Sequence, residues 1–187
     1  MFRNNKALVQ WLNEELSVFK DTFIEDIIEH IKFVKEQYKD VYCYSILPGN
    51  SYEINSITTA FNCLSNLKNN DVYDRYSVDE WNYYEDISKF DKTNAELQKL
   101  NETFKQLNKK NNKSSFLNRY ESKLISNIFN ACIEALIEVK AQGYFINNGE
   151  SMFVCVWVSD DDTPFVIESV KKLNSNKAVS EFLSEFN

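Results

Sequence analysis

With 187 residues the chain is long enough for one domain with its own core and too short for two full domains, so a single unit over 1–187 is expected. A hydrophobic fraction of 43%, with 14 Phe, 10 Tyr and 3 Trp, excludes intrinsic disorder, because burying those side chains offsets chain entropy. The net charge of −7 argues against a nucleic-acid binder, which needs a basic face, and fits a basic protein partner or plain solubility.

Only 3 Gly and 2 Pro interrupt the chain, which favours long helices with short connections. Residues 5–39 form a helical N-terminal part. Leu8, Trp11, Leu12 and Leu16 make one apolar stripe, and Phe23, Ile24, Ile27, Ile28, Ile31 and Val34 make a second, with a break allowed near 18–21. Residues 41–47 read as a strand, stopped by the turn signal Pro48-Gly49-Asn50, with 52–61 as its antiparallel partner. Asn62 is placed to cap a short helix ending near 67, and 72–76 reads as a short strand. Ser77-Val78-Asp79-Glu80 has capping-box spacing and predicts a helix start, with Trp81 and Tyr84 on one face.

Residues 93–109 predict a polar helix with Leu97, Leu100, Phe104 and Leu107 as its narrow stripe, followed by a loop over 108–115. Residues 116–142 carry the strongest helical pattern, through Leu124, Ile128, Phe129, Cys132, Ile133, Leu136 and Val139, with Gly143 as its C-terminal cap. The apolar run 152–158 predicts a central strand, 164–168 a strand beside it, and 176–186 a terminal helix. The sum is an α+β domain: a small, mostly antiparallel sheet with several helices packed against it.

The four cysteines show neither paired nor metal-ligand spacing. Each lies in an apolar stretch, as expected of buried free thiols in a reducing cytoplasm. No signal peptide is evident at the N-terminus, and no apolar run reaches the ~20 residues a membrane span needs. His30 is the only histidine, on the edge of the second stripe, and reads as a partly exposed helix residue. Asp160-Asp161-Asp162 lacks the alternate spacing of a calcium loop and reads as a solvated hairpin loop. Three Gly cannot build a phosphate cradle, and Lys99, Lys105, Lys109, Lys110 and Lys113 read as a solvated helix face. No cofactor or metal site is expected.

The densest chemistry lies at 71–91. Tyr73, Tyr76, Trp81, Tyr83, Tyr84 and Phe90 alternate there with seven acids, which leave a local charge of −5 against Arg75 and Lys89. Aromatic rings need burial and carboxylates need water or a cation, so the segment should straddle core and surface. Tyr76 and Trp81 are assigned to the core. Tyr73, Asp79, Tyr83, Tyr84, Glu85 and Asp86 are the candidate binding residues.

At Arg75-Tyr76-Ser77-Val78-Asp79-Glu80-Trp81 the chain resembles a bacterial family catalogued as domain of unknown function 4303, which shows an aromatic–Ser–x–x–Glu/Asp–Trp motif after a mid-chain hairpin. The strand over 41–46 agrees in order, as do Val158-Ser159-Asp160-Asp161 and the later Glu168-Ser169-Val170-Lys171-Lys172-Leu173-Asn174. Val78 stands where the resemblance leads one to expect proline, a favourable but dispensable residue at a first helical position. The resemblance implies one compact domain and transfers no activity or catalytic residue.

Three functions compete. The leading one is a non-enzymatic module that binds a basic protein, in the manner of an immunity protein occluding a toxin; Tyr supplies contact area and the acids pair with Lys or Arg. The second is an enzyme using a carboxylate pair drawn from Glu80, Glu85 and Asp86. The third is a small-ligand sensor with a pocket between the sheet and the 116–142 helix.

Overall fold

Apolar residues three and four apart build the first element, and the pattern holds it together far longer than two separate helices would. The computed structural model describes residues 5–49, 54–68, 71–110, 115–158 and 164–186, with side chains described for all of these except 5–8 and 107–122. Helix α1 (Asn5–Gln37) runs 33 residues without interruption, about 50 Å at 1.5 Å per residue. The break allowed near 18–21 does not occur. Phe19 and Phe23 are both fully buried and stack at 5.8 Å, so the two stripes are one face.

Strand β1 (Val41–Leu47) follows as expected, and pairs antiparallel with β2 (Thr58–Cys63). Pairing starts later than the 52–61 expectation and extends to Cys63. Residues 52 and 53 of that expectation, and Asn50 of the turn signal, lie outside the described residues. A bulge between Val41 and Cys43 turns both Tyr42 and Cys43 toward one face of the sheet. Asn62 does not cap a helix. It belongs to β2, and its side-chain oxygen accepts from the Cys63 amide at 3.0 Å and from Asn66 at 3.1 Å.

Residues 72–76 form a short helix, α2 (Val72–Tyr76), and not the expected strand. Asp71 decides it by accepting from the Tyr73 amide at 3.0 Å, an N-cap that no strand needs. The capping box at Ser77 is also not formed. Val78–Glu80 is a single 3-10 turn with no side-chain cap, and the chain then enters strand β3 (Tyr83–Tyr84), antiparallel to β2. A second 3-10 turn, Ile87–Phe90, leads into α3 (Asp91–Lys110). Leu97, Leu100 and Phe104 are buried against α1 as their spacing predicts.

Helix α4 (Ser115–Ala141) buries every described residue of its predicted stripe. It ends at Gly143, with φ +82°, where the Gly143 amide reaches the Lys140 carbonyl and the Tyr144 amide reaches that of Val139. That is the paired bonding of a Schellman cap. A small hairpin, β4 (Ile146–Asn147) and β5 (Glu150–Ser151), turns through Asn148 and Gly149, both at positive φ. The predicted apolar run then yields β6 (Phe153–Val156), parallel to β1.

The sheet order is β3-β2-β1-β6, so β6 is an edge strand and not a central one. It is buried nevertheless because α5 (Pro164–Leu173) closes it. The side chain of Asn174 accepts from the Val154 amide at 2.9 Å and donates to the Val154 carbonyl at 2.7 Å, while Ser169 Oγ accepts from the Val156 amide at 3.0 Å. These side chains substitute for a missing strand. The strand expected over 164–168 is therefore the first turns of α5. Helix α6 (Asn176–Phe186) matches expectation. The tri-aspartate loop at 160–162 and residues 111–114 of the loop expected over 108–115 lie outside the described residues, while 108–110 belong to α3 and Ser115 opens α4.

The result is α+β. The sheet is mixed but mainly antiparallel, and helices cover both faces. Tyr44, Ile46, Phe61, Val154 and Val156 face α1, α3 and α4; Cys43, Ala60, Phe153, Cys155 and Trp157 face α5, α6 and α2. Among the described residues no helix is long and apolar enough to cross a membrane.

Candidate functional site

The segment at 71–91 wraps around the open β3 edge of the sheet, so its residues divide between the two faces. On the α6 side, Tyr76 is buried and its hydroxyl donates to Glu181 at 2.6 Å. Burial and that carboxylate push the phenol up to about 12. Trp81 is buried too, its indole N–H reaching the Arg75 carbonyl at 3.3 Å. Both are core residues, as expected. Tyr73 is exposed and stacks on Phe186 at 5.5 Å, and Asp79 accepts from the Trp157 indole at 3.2 Å.

On the α1 side, Tyr83 is half-buried and stacks flat on Phe61 at 4.7 Å, with Tyr38 beside it at 4.6 Å. Tyr84 points the opposite way, as alternation in a strand requires, and remains 51% exposed. Its hydroxyl donates to the Val78 carbonyl, which fixes the ring. Burial of that hydroxyl, helped by Asp79 and Glu80, raises the phenol to about 12. Asp86 is exposed and accepts from the Ser88 amide at 2.9 Å, a bond that holds its carboxyl below the usual range. Ile87, next along, is 53% exposed.

The six candidates therefore do not form one cluster. Tyr73 and Asp79 sit with α6, Tyr83 and Glu85 lean on α1, and Tyr84 and Asp86 stand outward at the sheet edge. The three acids offered for a carboxylate pair part company as well. Glu80 is exposed, Asp86 caps a turn, and Glu85 turns inward.

Glu85 turns toward the residue that sequence reasoning placed wrongly. His30 is not a partly exposed surface histidine; it is 4% exposed, on the buried face of α1. Its Nδ1 lies 2.9 Å from the Tyr44 hydroxyl, and its Nε2 lies 3.6 Å from Glu85 Oε1. Burial, with the nearby Lys89 cation, lowers the imidazole from 6.5 to about 4, so the ring is neutral at pH 7. The signal was present in the spacing, since positions 23, 27, 30 and 34 share one helical face.

Asp26, one turn earlier, was also passed over. It is buried and accepts from both the amide and the hydroxyl of Thr93, at 2.9 and 2.7 Å, joining α1 to the start of α3. Among the described residues, no three His, Cys, Asp or Glu side chains converge on a metal position. The space between the sheet and α4 is filled by Tyr44, Ala135, Leu136, Val139, Phe145 and Val154, all fully buried. A groove of about 440 Å³ lies instead on the outer face of α1, lined by Glu25, Ile28, Glu29, Lys32, Phe33 and Glu36. It reaches the 71–91 segment where Lys89 lies over the Phe33 ring at 4.7 Å.

The family model described as domain of unknown function 4303 matches residues 24–175. The chain belongs to this family. The match takes in α1 from its buried second half, the whole sheet and α5, and so includes His30, the 71–91 segment and the Asn174 closure of β6. No curated protein and no solved structure matches the chain.

Proposed function

We propose that this chain is a non-enzymatic protein-binding module of the immunity type, whose partner brings lysine or arginine side chains to the outer edge of the 71–91 segment. The observation that carries this reading is Tyr84. Its ring is half exposed yet immobilised through its hydroxyl, and it is surrounded in sequence by Asp79, Glu80 and Asp86. A fixed aromatic ring loses little entropy on contact, and flanking carboxylates steer and pair with cations. Exposed Ile87 adds an apolar side chain to the same segment, and the Phe33 groove, with Glu25, Glu29 and Glu36, is a second apolar and acidic surface on the outer face of α1. The four cysteines, all free and buried, support action in a reducing compartment such as the cytoplasm.

The test is capture by tagged protein from a lysate of the source organism, comparing wild type with Tyr84→Ala/Glu80→Lys. A basic partner retained by wild type at low salt should drop at least about 30-fold in affinity with the variant, the loss of a hot-spot residue worth ~2 kcal/mol or more. Far-UV circular dichroism should be unchanged. Equal affinity for both proteins, or a partner that is acidic, would reject this surface.

A further inference from the structure

The 71–91 segment is tied to α1 at a point where one polar atom has been left over. His30 Nε2 is buried and has no hydrogen-bond partner. Glu85 Oε1 stands 3.6 Å from it, too far for a hydrogen bond and near enough for charge to matter. The rings of Tyr44, Phe61 and Phe90 surround the imidazole with centroids at 5.8, 6.4 and 5.7 Å. An imidazolium placed there has lost its water and keeps one hydrogen bond, from Nδ1 to the Tyr44 hydroxyl, while Nε2 has none and only the Glu85 charge at 3.6 Å to offset its burial.

The charged and titratable groups around it come from each neighbouring element. Helix α1 itself contributes Asp26, engaged by Thr93 and 3.7 Å from Lys92 of α3. Strand β1 contributes the Tyr44 hydroxyl, and the segment after β3 contributes Glu85 and Lys89. Strand β2 presents Phe61, which is apolar. Only Glu85 is close enough to favour a proton on His30, and Lys89 opposes one.

Two rings and a few polar bonds hold this segment down: Tyr83 stacks on Phe61 at 4.7 Å, and Phe90 is fully buried with its ring 5.8 Å from Phe23. Strand β3 is two residues long. Around it are the Glu85 amide on the Thr59 carbonyl at 3.0 Å, the Thr58 hydroxyl on the Glu85 carbonyl at 2.5 Å, and Asn94 on the Ile87 carbonyl at 3.1 Å.

We propose that His30 and Glu85 form a proton-operated latch, in which neutral His30 keeps residues 83–90 closed over α1 and its protonation releases that segment together with the surface it carries. The biological consequence rests on the proposed binding surface; the latch itself is a property of the free chain. Opening returns His30 to water, where an imidazole titrates near 6.5, whereas in the closed state it titrates near 4. Opening therefore takes up a proton between those values. One such proton multiplies the opening equilibrium roughly 20-fold between pH 7 and pH 5.

The chain's single histidine makes the experiment direct, because ¹⁵N-histidine labelling yields one imidazole to follow by NMR. The ring should titrate well below 6.5. Over pH 7 to 5, amide exchange corrected for intrinsic rate should show protection at 83–90 falling roughly 20-fold while amides of β1 and the middle of α1 keep theirs. His30→Gln should abolish that local loss. Should that variant fold poorly, Glu85→Gln decides: it should push the imidazole lower still. An imidazole titrating at or above 6.5, an unchanged protection at 83–90, a loss equal across all amides, or no shift in Glu85→Gln would each overturn the latch. No partner is present in these measurements, so their failure leaves the binding surface standing, and a failed capture experiment leaves the latch standing.

Discussion

His30 is uncharged at neutral pH, and its burial there brings the core little electrostatic penalty. Acid changes that balance in one direction. The unfolded chain binds a proton on this ring near 6.5, while the folded chain resists until about 4. The stability linked to this group is therefore complete above 6.5 and is lost as pH falls toward 4. We expect wild type to lose up to about 2 kcal/mol more than His30→Gln between pH 7 and 4.5, read from urea unfolding at each pH. Where residues 83–90 open first, the loss levels off at the free energy of that opening. Equal losses in the two proteins would show that His30 is not the responsible group. Sequence periodicity placed this residue on the correct turn of the helix. What periodicity cannot express is that the facing element is a two-residue strand, with a carboxylate arriving from 55 positions away.

At the level of elements, β6 shows how a helix can complete a sheet. Asn174 offers its amide as a donor and an acceptor to Val154, whose outward backbone groups have no neighbouring strand, as Ser169 serves the Val156 amide two residues on. Replacing it by alanine leaves both groups unsatisfied in a buried setting. Asn174→Ala should cost about 2 kcal/mol in a urea melt, with a parallel rise in aggregation as the edge opens. An unchanged midpoint would mean that water serves as well. The elements that were legible in advance, β1, α4 and α6, are those whose apolar period is long and unbroken. Those misread are short. Val72, Tyr73 and Tyr76 have strand propensity, yet a single Asp71 cap makes five residues helical. Phe165, Val166 and Ile167 read as a strand, yet Pro164 at the first helical position was the better guide. Ser77 has capping-box spacing, but three residues of 3-10 turn hold no long helix for it to cap, and its side chain makes no cap bond.

At the level of the whole molecule, the charge of −7 would set how the basic partner proposed above arrives more than how firmly it stays. Raising salt from 0.05 to 0.5 M should slow association by about tenfold or more and leave dissociation nearly constant, as stopped-flow mixing can resolve. A dissociation rate that carries the salt effect instead would point to buried ion pairs rather than steering. The candidate site was half legible from sequence: composition singled out the segment, but only the sheet edge sorted its residues by face. The parallel pairing of β1 with β6 carries one last consequence. Ser45 and Cys155 meet across 110 residues, and no local turn can bring them together early. At ribosomal speeds of about 5–20 residues per second, β1 waits on the order of ten seconds for its second neighbour to be synthesised. Through that interval the growing chain can form α1 and the β1–β2 hairpin but not a closed sheet. The nascent protein therefore has a half-built sheet with one sticky border, and the arrival of β6 is what seals it.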